Sequence, residues 1–255
     1  MSAAAIQAAG PARTPLLEVN GLTKRFGGVL AVEGCAFSVR EGSITGLIGP
    51  NGSGKTTVFN LITGYLRTDS GTVTFTGRPV RRPDPTGLYR RGLSRTFQQA
   101  RVFPQLTLVE NLVVAVKQPW WAMGRASIGQ QDRARAEEIL ERFGLISHRD
   151  RKAADLSFGQ RKLLEFATVL MGEPSLVLLD EPASGVNPVM VEQIERHIRE
   201  LNQAGLTFLV VEHDMNLVMR LCDPIVVLDH GSKLAEGRPA EIRADPLVLD
   251  AYLGE

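Results

Sequence analysis

The chain has 255 residues, 44% of them apolar and 22% charged, with a net charge of +1. That composition is expected of a soluble globular protein, one domain or two small ones, long enough to bury a core. It offers no bulk attraction to nucleic acid, no apolar run nears the ~20 residues of a membrane span, and Cys35 and Cys222 lack metal-ligand spacing and read as buried, reduced thiols.

Residues 1–15 are Ala-rich, without a basic start or a long apolar stretch, and read as a flexible lead-in rather than a signal peptide. Leu16–Asn20 and Cys35–Val39 read as strands. In the second, Cys35, Phe37 and Val39 alternate with Ala36, Ser38 and Arg40, which predicts one wet face. Ile44–Ile48 is a short apolar run, the pattern of a buried strand. After it come Gly49, Pro50, Asn51, Gly52, Ser53, Gly54, Lys55, Thr56 and Thr57, which fit G-x-x-x-x-G-K-[ST]. Val58, Leu61, Ile62 and Tyr65 then fall on one helical face. Strand, glycine loop, helix is the context this motif needs. Phosphates require many donors at close range. Glycines let the backbone approach, and the N–H groups of the loop and helix start point at anionic oxygens. Lys55 is placed to bridge β- and γ-phosphates and Thr56 to ligate Mg²⁺. The bland alternative is a glycine-rich turn with an exposed lysine. Thr72–Thr76 follows as a further strand after the turn at Asp69, Ser70 and Gly71.

From about Thr86 to Gly159 strand signals vanish. Thr107 and Glu110 form a capping-box pattern that opens a helix to about Lys117. Gln130–Phe143 is a second helix, with Ala136, Ile139, Leu140 and Phe143 inward. Arg81, Arg82, Arg90, Arg91 and Arg95 read as a solvated face in preference to a binding patch. Ser157 and Gln160 make another capping-box pattern, ahead of a helix carrying Leu163, Ala167 and Leu170. Its positive end, with a hydroxyl and the Gly159 N–H, is either an ordinary cap or a second anion site.

Leu176–Leu179, Phe208–Val211 and Ile225–Leu228 are uniformly apolar, as strands of a covered parallel sheet should be. A helix with Val191, Ile194, Ile198 and Leu201 inward lies between the first two, capped by Asn187 with Pro188 in its first turn. The fold class expected is α/β: a phosphate-loop NTPase core with a mixed or antiparallel β layer and an inserted helical subdomain. The core is assigned to residues 16–86 and 160–240, the helical subdomain to 87–159 and a C-terminal tail to 241–255. Asp180 and Glu181 sit at the carboxyl end of Leu176–Leu179, where ligands bind in open α/β sheets. Asp180 is suited to the Mg²⁺ shell and Glu181 to the attacking water. His213 leaves the next strand at the same edge, and Gln98 carries an amide able to ligand Mg²⁺ or water. By position alone, His213 is balanced against a structural role, and Gln98 reads more readily as structural.

Together these residues resemble the ATP-binding cassette family of transporter ATPases over nearly the whole chain, with the motifs in the same order. The resemblance implies that Phe26 stacks the adenine of ATP. It implies that Gln98 senses Mg²⁺ and the membrane partner, and that Leu156, Ser157, Phe158, Gly159 and Gln160 form the signature binding a γ-phosphate in trans. Asp180 and Glu181 become the metal and water carboxylates, and His213 a γ-phosphate contact. Phe158 stands where the family commonly has Gly, and Asn187 where it often has Asp. Finer resemblance, in Leu22 to Gly28, Arg95 to Gln98, Ser184 to Pro188, Glu212 to Met215 and Ala251 to Glu255, is to the ATP-binding subunits of branched-chain amino-acid importers. It implies an ATPase at the cytoplasmic face of the membrane, pairing with a second copy or a paralogue. It further implies docking onto transmembrane permease subunits, an indirect link to a solute-binding protein, and no nucleic acid. A lipopolysaccharide-type exporter ATPase, with a similar tail and His region, stays open. So do a non-transport cassette ATPase and a phosphate-loop kinase.

Overall fold

A computed structural model describes residues 15–97, 100–116 and 129–253. The strands are β1 (Pro15–Phe26), β2 (Val29–Arg40), β3 (Ile44–Ile48), β4 (Ser70–Phe75), β5 (Arg78–Pro79), β6 (Leu93–Arg95), β7 (Leu176–Asp180), β8 (Thr207–Val211), β9 (Ile225–Asp229) and β10 (Ser232–Gly237). The helices are α1 (Lys55–Ile62), α2 (Pro85–Arg90), α3 (Leu108–Val114), α4 (Gln130–Arg142), α5 (Phe158–Leu170), α6 (Pro188–Gln203), α7 (Met215–Leu221), α8 (Pro239–Ala244) and α9 (Pro246–Leu253).

The apolar runs β3, β7, β8 and β9 become neighbours in a sheet ordered β10-β9-β3-β8-β7-β6. Its pairs are parallel except at the β10 edge. Successive side chains of a strand leave opposite faces, so each run feeds two cores. Val177, Leu179, Phe208, Val210, Ile225 and Val227 pack with residues of α3 to α7. Leu176, Leu178, Leu209, Val211, Val226 and Leu228 pack with α1 and with the antiparallel sheet β2-β1-β4-β5. Burial on both faces is why these strands carry no polar alternation. In β2 the expected alternation holds: Cys35, Phe37 and Val39 are buried and Arg40 is exposed. Both cysteines are buried, and desolvation pushes their thiols up to about 11 for Cys35 and about 12 for Cys222.

Three expectations are corrected. The stretch 86–159 is not free of strands, because β6 pairs with β7 at the sheet edge. Tyr65 lies beyond the end of α1, half-exposed, edge-on to Phe97 at 5.9 Å. Arg91 and Arg95 are not a solvated face: Arg91 donates to the carbonyl of Phe75 and lies over that ring, and Arg95 is a buried partner of Asp180. The capping boxes at Thr107–Glu110 and Ser157–Gln160, and the Asn187 cap of α6, form as expected. Lys117, Gln98, residues 1–14, Gly254 and Glu255 lie outside the described residues.

Candidate active site

The loop from Gly49 to Gly54 joins the carboxyl end of β3 to the first turn of α1. Two of its glycines are demanded by space. A Cβ on Gly49 would lie 2.0 Å from the carbonyl oxygen of Leu228, and one on Gly54 would lie 2.6 Å from that of Ala31. Gly54 also adopts the left-handed conformation, φ 98°, and caps α1 with no side chain. The first N–H groups of a helix have no intrahelical acceptor, and here no side chain supplies one at the cap. Lys55, only 6% exposed, arches back over the loop and donates to the carbonyl oxygens of Gly49 at 2.7 Å and Pro50 at 2.8 Å. The loop is thereby curled around an ammonium group, a shape that presents backbone donors and positive charge to an anion.

The second part comes from neighbouring strand ends. Asp180 is in register with Val211, and Val211 is the partner register of neighbouring β8 to β3 at Leu47. Asp180 thus lies two strand spacings, about 10 Å, from the strand that feeds the glycine loop. Asp180 is buried and accepts from Arg95 Nη2 through Oδ2 at 2.7 Å, each side chain 8% exposed. Arg95 also donates to Asn60 Oδ1 of α1 at 2.6 Å, so one guanidinium ties the glycine-loop helix to the acidic strand end. Thr56 and Asp180 line a single open cleft of about 540 Å³, with Arg95, Phe97 and Arg101 on its wall.

Glu181 continues the chain in a left-handed conformation, φ 49°. A non-glycine residue held there costs about 1–3 kcal/mol, and such strain clusters at functional sites. The surroundings impose it. The Glu181 N–H donates to Val211 O at 2.9 Å, and its carbonyl accepts from the Ser184 N–H at 3.1 Å and from Lys162 Nζ at 2.8 Å. Its Oε1 meets His213 Nε2 at 2.6 Å. Beneath them Glu212 is buried; its carboxylate accepts from the N–H groups of Ala183 and His213, while desolvation raises its pKa.

Ser157 caps α5, with Ser157 and Phe158 exposed. The Phe158 ring packs on Gly185 and under Lys162, whose ammonium is 5.7 Å from the ring centroid. Phe26 is 47% exposed at the end of β1, and the structure does not bring it to the Thr56–Asp180 cleft. Reading the sequence alone overlooks four buried charges: Arg95, Lys162, Glu165 and Glu212. The available signal for two of them is that Lys162 and Glu165 flank the apolar pair Leu163 and Leu164, with Phe166 and Ala167 following, in the middle of α5.

The residues suit a magnesium–phosphate group. Thr56 and Asp180 offer hydroxyl and carboxylate oxygens on one cleft, the donors a hard cation takes, and phosphates and waters ordinarily complete its shell. Among the described residues no cluster of three or more His, Cys, Asp or Glu could hold a metal ion.

Residues 32–184 match the ABC transporter family, and residues 232–255 match a family described as branched-chain amino acid ATP-binding cassette transporter. The chain is 44% identical to the high-affinity branched-chain amino acid transport ATP-binding protein LivG of Salmonella typhimurium, over 94% of this chain and 98% of that protein. It is 40% identical, with the same coverage, to BraF of Pseudomonas aeruginosa, a transport ATP-binding protein of the same description. The crystal structure of an ATP-binding cassette in its ADP conformation matches with a TM-score of 0.85 at 36% identity, over 95% of this chain and 100% of that one. A glycine loop curled on its lysine, a strand-end carboxylate pair and kinship over the full cassette agree: the chain belongs to the ATP-binding cassette transporter family, as one of its ATP-hydrolysing subunits.

Proposed function

We propose that this subunit closes with a second copy, or a paralogue, around two ATP molecules, and that hydrolysis reopens the pair to drive uptake of branched-chain amino acids through membrane permease subunits. The observation that carries the reading is the cleft shared by Thr56 and Asp180, with Glu181 and His213 hydrogen-bonded at the adjoining strand end. The Lys55 ammonium and the N–H groups from Gly52 to Thr57 bind the β- and γ-phosphates. Thr56, Asp180 and Gln98 would hold Mg²⁺, which supplies charge neutralisation on the transferring phosphoryl group. Glu181 orients the attacking water, and His213 fixes the Glu181 carboxylate and reaches the γ-phosphate. Phe26 offers an exposed ring to adenine. Ser157, Phe158, Gly159 and Gln160, on a different helix from the glycine loop, serve the nucleotide of the opposing subunit. That is the isologous geometry of a two-fold pair.

No helix among the described residues is long and apolar enough to cross a membrane. In this reading partner subunits supply the spans, and the subunit acts from the cytoplasmic face. A solute-binding protein delivers the cargo to those partners, and no nucleic acid takes part. Residues 87–159, apart from the edge strand β6, form the helical subdomain that carries the closing motion; the rest is the hydrolytic core and its tail. The match at 232–255 favours amino-acid import over lipopolysaccharide-type export. The test uses Glu181→Gln, which should bind ATP, hydrolyse little and dimerise at saturating ATP and Mg²⁺. Light scattering that finds it monomeric, or a Ser157→Arg variant turning over at the wild-type rate, overturns the sandwich.

A further inference from the structure

Helix α5 carries two charges that are each only 6% exposed, Lys162 and Glu165. Lys162 holds the carbonyl of Glu181. Glu165 does something different. Its Oε1 accepts from the backbone N–H of Phe97 at 3.0 Å and from that of Arg101 at 3.3 Å. These two residues flank Gln98 in the sequence. One oxygen therefore holds the chain on both sides of the candidate Mg²⁺-sensing glutamine, and it belongs to the helix that begins at Ser157. A buried carboxylate is an expensive acceptor for two amides, since its desolvation costs several kcal/mol and an apolar residue of the same size is commonly no worse for stability.

We propose that Glu165 is a positioning residue for Gln98: it fixes the backbone at Phe97 and Arg101 to α5. The chain entering and leaving the Gln98 segment then moves with the signature helix that the same subunit presents to the opposing nucleotide. The inference rests on the proposed function above and names a link between its two composite sites. Lys162 and Arg101 are the cations beside the carboxylate; Lys162 also faces Glu181, Asp180 and Glu212.

The experiment compares full-length wild type, Glu165→Leu and Glu165→Gln. Leucine fills the space without an acceptor, whereas glutamine keeps Oε1. Hydrogen exchange at the Phe97 and Arg101 amides is read with ATP affinity in the absence of Mg²⁺ and with the Mg²⁺ concentration for half-maximal turnover. In Glu165→Leu both amides should exchange about tenfold faster and the Mg²⁺ requirement should rise about tenfold, the order expected from losing hydrogen bonds to a charged acceptor. ATP affinity should stay within about twofold, and Glu165→Gln should restore the exchange and the Mg²⁺ requirement. Wild-type exchange or an unchanged Mg²⁺ requirement in Glu165→Leu overturns the role, as does a Glu165→Gln variant impaired as badly as Glu165→Leu. Lys55→Ala separates the two levels. If it still binds ATP, the proposed function has failed. If it loses ATP while Glu165→Leu behaves as wild type, only the positioning role has.

Discussion

Glu165 also makes a prediction about stability that needs no nucleotide. Burial pushes its carboxyl from 4.5 up to about 7, against the smaller opposing pull of the Phe97 and Arg101 amides and of Lys162. The folded chain therefore holds this proton more tightly than the unfolded chain does. Between pH 4.5 and about 7 the folded state binds more protons, so this group's contribution to stability falls as the pH rises through that window. At about 1.4 kcal/mol for each pH unit, the difference between 4.5 and about 7 amounts to roughly 3 kcal/mol. Full ionisation, and the full penalty, is reached above about pH 8. Glutamine cannot titrate, and its Oε1 accepts the same two amides. Urea denaturation of wild type and Glu165→Gln at a series of pH values from 5 to 8.5 should show the variant gaining on wild type by about 3 kcal/mol across the range. Two stability curves that run parallel through this window would refute the reasoning, because the carboxyl would then titrate alike in both states.

Two more perturbations probe the scaffold. Arg95→Met keeps much of the side-chain volume and leaves Asp180 as a buried carboxylate without its guanidinium, so unfolding by denaturant should show a loss of about 3–5 kcal/mol; a loss below about 1 kcal/mol would mean the bridge is immaterial. Thr107→Ala removes the acceptor for the Glu110 N–H in the capping box of α3 and should cost about 1 kcal/mol while ATP affinity is unchanged, checked by denaturation and nucleotide titration.

The parts of the fold written in local chemistry were legible. Strands β3, β7, β8 and β9 are uninterrupted apolar runs because both their faces are covered, and such runs announce themselves. Helices α3, α5 and α6 declare their starts through Thr107, Ser157 and Asn187. Strand β6 does not. Leu93, Ser94 and Arg95 have no strand pattern, and only pairing with Leu176, Val177 and Leu178, far along the chain, makes them one. Strand β10 is likewise a polar edge, Ser232 to Gly237, set by its antiparallel pairing with β9. Tyr65 fits the helical period of α1, but the helix has already ended at Ile62 and the ring turns to Phe97 instead.

The same division runs through the site. A group that meets phosphate must sit on a glycine loop or a strand end, so Lys55, Thr56, Asp180 and Glu181 reside in short motifs whose spacing is itself the chemistry. The groups that hold those motifs in place face no such restriction. Arg95 finds Asp180 across 85 positions of sequence, and Glu165 finds Phe97 across 68. Neither partner leaves a mark near the other, and an arginine or glutamate read alone is most simply placed in solvent. One local hint exists for Glu165: its neighbours in sequence, Leu163, Leu164, Phe166 and Ala167, are all apolar and buried, although Arg161 and Thr168, one turn to either side, are partly exposed. A buried charge must have a partner, and for Glu165 that partner is the backbone at Phe97 and Arg101, on either side of Gln98.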